Sequence, residues 1–153
     1  MRIGVLSDTH NYLDPKIASV FQGVDHILHA GDVGLPWILL ELQAIAPVTA
    51  VLGNTDAGIS LRETEVCELD GRTFLLHHIV NPVAPAEPLR RRLAQMRPAV
   101  VVFGHTHRAF EQSIDGTLFF NPGYAGKPRF AQPRSVAVLH CGHREVTAEI
   151  LPL

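Results

Sequence analysis

The sequence predicts an α/β protein of four layers, α/β/β/α, with two mixed β-sheets packed face to face and helices on the outer sides. Its first half alternates short apolar runs with helix-type stretches, as parallel βαβ units do, and its second half places Asp-Gly and Cys-Gly turns between strand-type runs, as antiparallel hairpins do. In addition, five of the apolar runs end in residues of one chemical kind: carboxylate, imidazole or amide.

Taken in order, Ile3, Gly4, Val5 and Leu6 form a short apolar run closed by Ser7, Asp8, Thr9 and His10, which reads as a buried strand with a polar loop at its end. Asp14 and Pro15 start a helix, because the aspartate can cap free N–H groups and proline loses nothing at the first helical position. Ile17, Ala18, Val20 and Phe21 supply its apolar face, and Gly23 closes it. The plan repeats. Ile27 and Leu28 lead into His29, Ala30, Gly31 and Asp32, and Pro36 opens a helix through Trp37, Leu39, Leu40 and Ile45 that Pro47 stops. A third strand, Val48 to Leu52, runs into Gly53, Asn54, Thr55 and Asp56.

From there the pattern changes. Glu63 to Leu69 and Arg72 to Leu76 flank Asp70-Gly71, a tight hairpin whose second strand delivers His77 and His78. Asn81 to Pro88, with three prolines, is expected to be a mobile loop bordering the site. A third helix is expected over Glu87 to Arg97, ended by Pro98, and Val100 to Phe103 then leads into Gly104, His105, Thr106 and His107. Asp115-Gly116 joins Phe110–Ile114 to Thr117–Phe120, and Cys141-Gly142-His143 joins Ser135–His140 to Glu145–Leu151.

The chain is 153 residues long, the length of one domain, and a single domain over 1–153 is expected. A net charge of -2 argues against nucleic acid held by general electrostatics, although Arg90, Arg91 and Arg92 form a local basic stretch on the third helix. Two cysteines are too few for a disulfide framework, so Cys67 and Cys141 are expected as reduced, buried thiols. Nothing resembles a signal peptide or an apolar span of membrane length, and a cytoplasmic, soluble protein is expected. Trp37, Tyr124 and Phe130 are candidates for a homo-oligomer contact.

Nine histidines are the oddity of the composition, and most lie at or beside strand ends. Parallel strands bring their carboxyl ends to one edge of a sheet, which is where open α/β folds place ligands. Asp8 with His10, and His105 with His107, stand two residues apart, so in an extended segment each pair points to one side. Carboxylate, imidazole and amide donors gathered there suit a transition-metal ion.

These motifs, Asp8-Thr9-His10, Gly31-Asp32, Gly53-Asn54-Thr55-Asp56, His77, Gly104-His105-Thr106-His107 and Asn121-Pro122-Gly123, resemble in order and spacing those of the calcineurin-like metallophosphoesterases, and most closely their small single-domain bacterial and archaeal branch. The resemblance implies two metal ions. The first would be held by Asp8, His10, Asp32 and His107, and the second by Asp32, Asn54, His77 and His105, with Asp32 as the bridge. It also implies hydrolysis of a small-molecule phosphate ester by a metal-bridging hydroxide, with Asp32 and Asn54 at the reacting centre. Mixed oxygen and nitrogen ligands suit Mn, with Fe, Zn, Ni or Co as alternatives.

Two positions depart from the family pattern. Thr55 stands where many members carry the histidine that protonates the leaving group, and His78 stands where a glycine is usual. His78 either crowds the second metal or supplies the missing proton. Phosphodiesterase activity on activated aryl esters is therefore expected. Arg108 and Arg129, with Lys127 and Arg134 beside them in sequence, are candidates to clamp phosphate. The alternative is a non-catalytic, metal-binding scaffold of the same fold that acts through protein contacts, as a retromer subunit of similar fold does. Loss of ligands would favour that alternative, and here every expected ligand is present.

Overall fold

The computed structural model describes residues 1–153 and orders ten strands and three helices into the expected layers. The first sheet contains β1 (Arg2–Leu6), β2 (His26–His29), β3 (Val48–Ala50), β9 (Ser135–Cys141) and β10 (Val146–Pro152), in the order β10-β9-β1-β2-β3. The second contains β4 (Thr64–Leu69), β5 (Arg72–His77), β6 (Val100–Val102), β7 (Ala109–Ile114) and β8 (Thr117–Pro122), in the order β4-β5-β6-β8-β7. In the first sheet β1, β2 and β3 are parallel and β9 and β10 extend one side antiparallel, and in the second the three central strands are parallel with an antiparallel strand at each edge, so both sheets are mixed.

Alternation along the strands builds three apolar layers. Ile3 and Val5, Leu28, Ala137 and Leu139 of the first sheet meet Phe74, Leu76, Val100, Val102 and Phe120 of the second between the sheets. Leu6, Ile27, Val136 and Val138 face outward against Ile17, Phe21, Ile38 and Leu42, the buried residues of α1 (Ile17–Val20), its C-cap and α2 (Trp37–Gln43). On the far side, Leu75, Val101 and Phe119 pack against Leu89 of α3 (Leu89–Met96). Strands buried on both faces read as continuous apolar runs, which conceals their parity.

The helices are shorter than the sequence predicts. α1 is a single turn: Asp14, expected to cap it, accepts the Lys16 N–H at 2.9 Å and the Arg134 guanidinium, and Gly23 at φ 74° turns the chain away soon after the helix ends. Cys67 and Cys141 are unpaired, each only half buried. Trp37 is 41% and Phe130 103% exposed, whereas Tyr124 is fully buried. No helix is long and apolar enough to cross a membrane.

Candidate metal centre

The loops after β1, β2 and β3 meet those after β5 and β6 at one rim of the sandwich. Asp8, His10, Asp32, His105 and His107, all named from sequence, have φ between 45° and 69°. A left-handed conformation costs a non-glycine residue roughly 1–2 kcal/mol, and a cluster of such residues marks a site where the surroundings impose geometry.

The imposed geometry gathers metal-type donors. Asp8 accepts the His105 N–H on Oδ2 at 3.1 Å. Its Oδ1 lies 3.2 Å from His107 Nε2 and 3.8 Å from both His10 Nε2 and His78 Nε2. Asp32 accepts the Thr55 N–H on Oδ1 at 2.9 Å and turns Oδ2 to within 3.2 Å of His78 Nε2 and 3.7 Å of His10 Nε2. Nε2 of His10 and His107 are 3.4 Å apart, and Asn54 Oδ1 lies 3.0 Å from His105 Nδ1. Two overlapping sets result, Asp8 with His10 and His107 and Asp8 with Asp32 and His78, each with its donor atoms within 4.8 Å of one another.

Electrostatics favour the ligand form at Asp32 and His107. Burial pushes the Asp32 carboxyl upward, but hydrogen bonds from Thr55 and the nearby imidazoles of His78 and His10 outweigh it and hold the pKa below the ordinary 3.8. Burial pushes His107 below the ordinary 6.5 against the pull of Asp8, with His10 and the Arg129 guanidinium adding to the decrease. An ionised carboxylate at Asp32 and a neutral imidazole at His107 are the forms in which such groups bind a divalent cation.

Close approach also dictates two glycines. A Cβ at Gly53 would overlap the Asp32 carboxylate, and one at Gly104 would overlap the Ser7 hydroxyl and come within 2.7 Å of Asp8 Oδ2. Polar side chains pin the loops from behind. Asp56 accepts the N–H groups of Val33, Gly34 and Gly53 at 3.1, 2.9 and 2.8 Å. Buried Asn121 donates to Gly104 O at 2.9 Å and Thr106 Oγ1 at 3.1 Å. His29, wholly buried and neutral, with its pKa driven by burial to about 3, joins the first two loops. Tyr124 stacks on His107, ring centroids 4.7 Å apart, and the Arg129 guanidinium lies 5.2 Å from the Tyr124 centroid.

The placement of one expected ligand differs from the sequence reading. His77 directs Nδ1 to Thr64 Oγ1, its cross-strand partner, at 2.9 Å and takes no part in either donor set; His105 also lies outside both sets but keeps its ring beside Asn54 and His78. The neighbour that reaches the carboxylates is His78, buried, its Nδ1 bonded to Ala30 O at 2.7 Å and its Nε2 turned inward. Parity is the reason: Phe74 and Leu76 face the other sheet and Leu75 faces α3, so position 78 points inward and position 77 outward. His78 thus stands beside both carboxylates, in one of the two groups whose donor atoms could hold a metal ion. Arg134 is likewise engaged elsewhere, 2.6 Å from Asp14 in a nearly buried ion pair, while Arg108 remains exposed next to His107. A cleft of about 380 Å³, bounded in part by Asn54, Glu63, His77, His78 and Ile79, opens beside the centre.

Carboxylates, an amide and imidazoles converging at the rim of a double-sheet α/β sandwich define a metalloprotein of the hydrolase-like kind. The chain belongs to the calcineurin-like phosphoesterase superfamily, whose domain model matches residues 1–144. It is 36% identical to a probable metallophosphoesterase of Methanothermobacter thermautotrophicus, over 99% of this chain and 92% of that protein. It is 26% identical to a phosphodiesterase of Methanocaldococcus jannaschii, over 80% of this chain and 83% of that one. Its fold matches that of Vps29 from Entamoeba histolytica, solved in complex with Zn²⁺, with a TM-score of 0.76 at 21% identity over 99% of each chain.

Proposed function

We propose that the chain is a metal-dependent phosphodiesterase with a two-cation centre, acting in the cytoplasm on small-molecule phosphate esters. The observation that carries this reading is a pair of orphaned atoms: Asp8 Oδ1 and His78 Nε2 are buried with no hydrogen-bond partner, and both point into the donor cluster. A buried polar atom left unpaired costs about 1–3 kcal/mol, a cost that a coordinated cation removes.

Asp8, His10, Asp32 and His107 would hold one cation, and Asp32, Asn54, His78 and His105 the other, with His78 in the place first assigned to His77. When bound, such a pair supplies an activated water and neutralises charge on the phosphoryl oxygens. The family resemblance gives Asp32 the shared position, and a carboxylate, with two oxygens and a negative charge, suits it; Asp8 is the other carboxylate of the cluster and belongs to both donor sets. Arg108 and Arg129, exposed on the His107 side, orient the phosphate by charge. Oxygen and nitrogen donors together suit Mn²⁺, with Fe, Zn, Ni and Co as competitors.

Thr55 spends its N–H on Asp32, its hydroxyl is too weak an acid to protonate an alkoxide, and His78 is committed as a ligand. Leaving groups therefore depart unaided. Aryl diesters are expected to react well and alkyl diesters slowly, with a steep dependence of rate on leaving-group pKa. A flat dependence would show that some other residue donates a proton.

The deciding experiment is elemental analysis of the metal-reconstituted protein together with hydrolysis of bis(4-nitrophenyl) phosphate. Two cations per chain and turnover are expected, and a protein that binds no transition metal sinks the proposal. A second reading, a metal-binding scaffold, is favoured by one feature: Leu35, Trp37 and Leu40 are 53%, 41% and 65% exposed, with Trp37 Nε1 bonded to Asn11 of the first metal loop. Cation binding without hydrolysis of any diester would support that reading instead.

A further inference from the structure

His29 is a fully buried polar residue that the proposed chemistry leaves unused. It ends β2, three residues before Asp32, and its ring lies beneath the junction of the first two metal loops. Its hydrogen bonds admit one arrangement of protons. Nδ1 accepts the Gly31 N–H at 3.2 Å, so Nδ1 is bare. Nε2 therefore carries the hydrogen and donates it to Thr9 Oγ1 at 2.9 Å, and the Thr9 hydroxyl passes its own hydrogen to Val33 O at 2.8 Å. The chain runs Gly31 to His29 to Thr9 to Val33 with every donor and acceptor satisfied.

This relay encloses Asp32. Gly31 and Val33, its neighbours on either side, are both fastened through His29 and Thr9, and Thr9 itself lies between Asp8 and His10. Backbone bonds run alongside, from Asp8 N to Gly31 O at 3.0 Å, His10 N to Asp32 O at 2.9 Å and Asn11 N to Val33 O at 2.9 Å. They fix the spacing of the two strands of chain. They do not choose the torsions of Gly31, Asp8, His10 and Asp32, all at positive φ. Side chains that over-determine a strained backbone are what keep it in place.

Resting on the metal-centre reading above, we propose that His29 is a positioning residue which, through Thr9, fixes the strained loops so that the Asp8 and Asp32 carboxylates stand ready to be shared by cations. An apolar residue of similar bulk would fill the space and leave Gly31 N–H without its acceptor and Thr9 without its donor. Core packing would survive while the approach of two loops to a common point would loosen. A partner that orients a ligand from behind is typically worth about 10–100-fold in metal affinity.

The test uses the full chain and Mn²⁺ alone as probe, with affinity read by calorimetry and the urea midpoint of the metal-free protein read separately. His29→Leu and Thr9→Val are expected to weaken Mn²⁺ binding about 10–100-fold. His29→Gln, whose amide N–H can reach Thr9 from the position of Nε2, is expected to restore affinity to within a few-fold of wild type. Wild-type affinity in both His29→Leu and Thr9→Val overturns the proposal, as does a loss in His29→Gln equal to that in His29→Leu. Should His29→Leu fail to fold, Thr9→Val decides alone, since it removes one hydroxyl and keeps nearly the same volume. A wild-type protein that binds no cation sinks the metal-centre reading and this inference with it. Wild-type binding matched by the variants leaves that reading standing and removes His29 from it.

Discussion

The two sheets contribute unlike halves to the centre. From the rim of the first sheet come the oxygen donors Asp8, Asp32 and Asn54, with His10 as its one imidazole, and from the rim of the second come His78, His105 and His107, nitrogen donors only. The first half has a single imidazole and the second no oxygen donor, so a centre rich in both kinds draws on the two together. Both carboxylates stand on the first side and three of the imidazoles on the second, and the Asp8 Oδ2 bond to the His105 N–H crosses the seam. A cation bound here would add to the few polar bonds that link the two layers at this rim, so binding and the alignment of the sheets are coupled.

If the division is real, removing the shared oxygen donor should do the most damage. Asp32→Asn is expected to lower diester hydrolysis about a thousandfold or more, beyond the 10–100-fold associated with outer partners, and to reduce bound metal below two per chain. Retention of full metal content and rate would break the comparison at its centre. On the second sheet the adjacent histidines form an internal control. His78→Ala should cost about a hundredfold in affinity for one of the cations, and His77→Ala should leave metal content unchanged, its lost contact being the bond to Thr64. The reverse outcome would restore the ligand assignment first read from sequence.

How far each half was legible in the sequence follows from the same contrast. On the first sheet each donor follows a glycine or a short polar turn just past a strand, and Asp8, His10, Asp32 and Asn54 all fall where strand-end reasoning puts them. On the second sheet the order of strands was legible and the parity of one was not. Phe74, Leu75 and Leu76 are apolar on both faces, so nothing in their composition tells which of His77 and His78 turns inward. The hairpin could have told: pairing through Asp70-Gly71 sets Cys67 opposite Phe74 and Thr64 opposite His77, and a threonine facing a histidine across a strand edge is a polar pair. The supports were harder to see. Asn121 enters only as part of a family motif, Tyr124 as a candidate oligomer contact and His29 as one more strand-end histidine, because what matters in them is a bond or stacking contact to a residue distant in sequence.

Because the halves lie on different sheets, cation binding should also register as stability. At a free Mn²⁺ concentration about a hundred times its Kd the folded state gains about 2.7 kcal/mol, which a chelator removes and which a urea titration measures. The gain should be accompanied by slower hydrogen exchange at both rims, after β1 and β2 and after β5 and β6 alike. Protection confined to the first rim would mean that the imidazole half is not engaged.

The smallest expected effect separates the imidazole that frames the first sheet from those of the donor cluster. His29 is buried neutral with a pKa of about 3, against 6.5 in the unfolded chain. Between those values the unfolded state binds one more proton at this position than the folded state, so stability rises with pH across the window and is lost as pH falls below about 6.5. The slope from this residue alone is about 1.4 kcal/mol per pH unit. In metal-free protein, urea unfolding of wild type and His29→Gln between pH 4.5 and 6.5 should therefore diverge, with the variant showing the flatter curve. His29→Gln keeps the Thr9 bond and removes the titrating ring, so parallel curves would mean that His29 is already protonated in the folded protein, contrary to the bare Nδ1 that the Gly31 N–H requires.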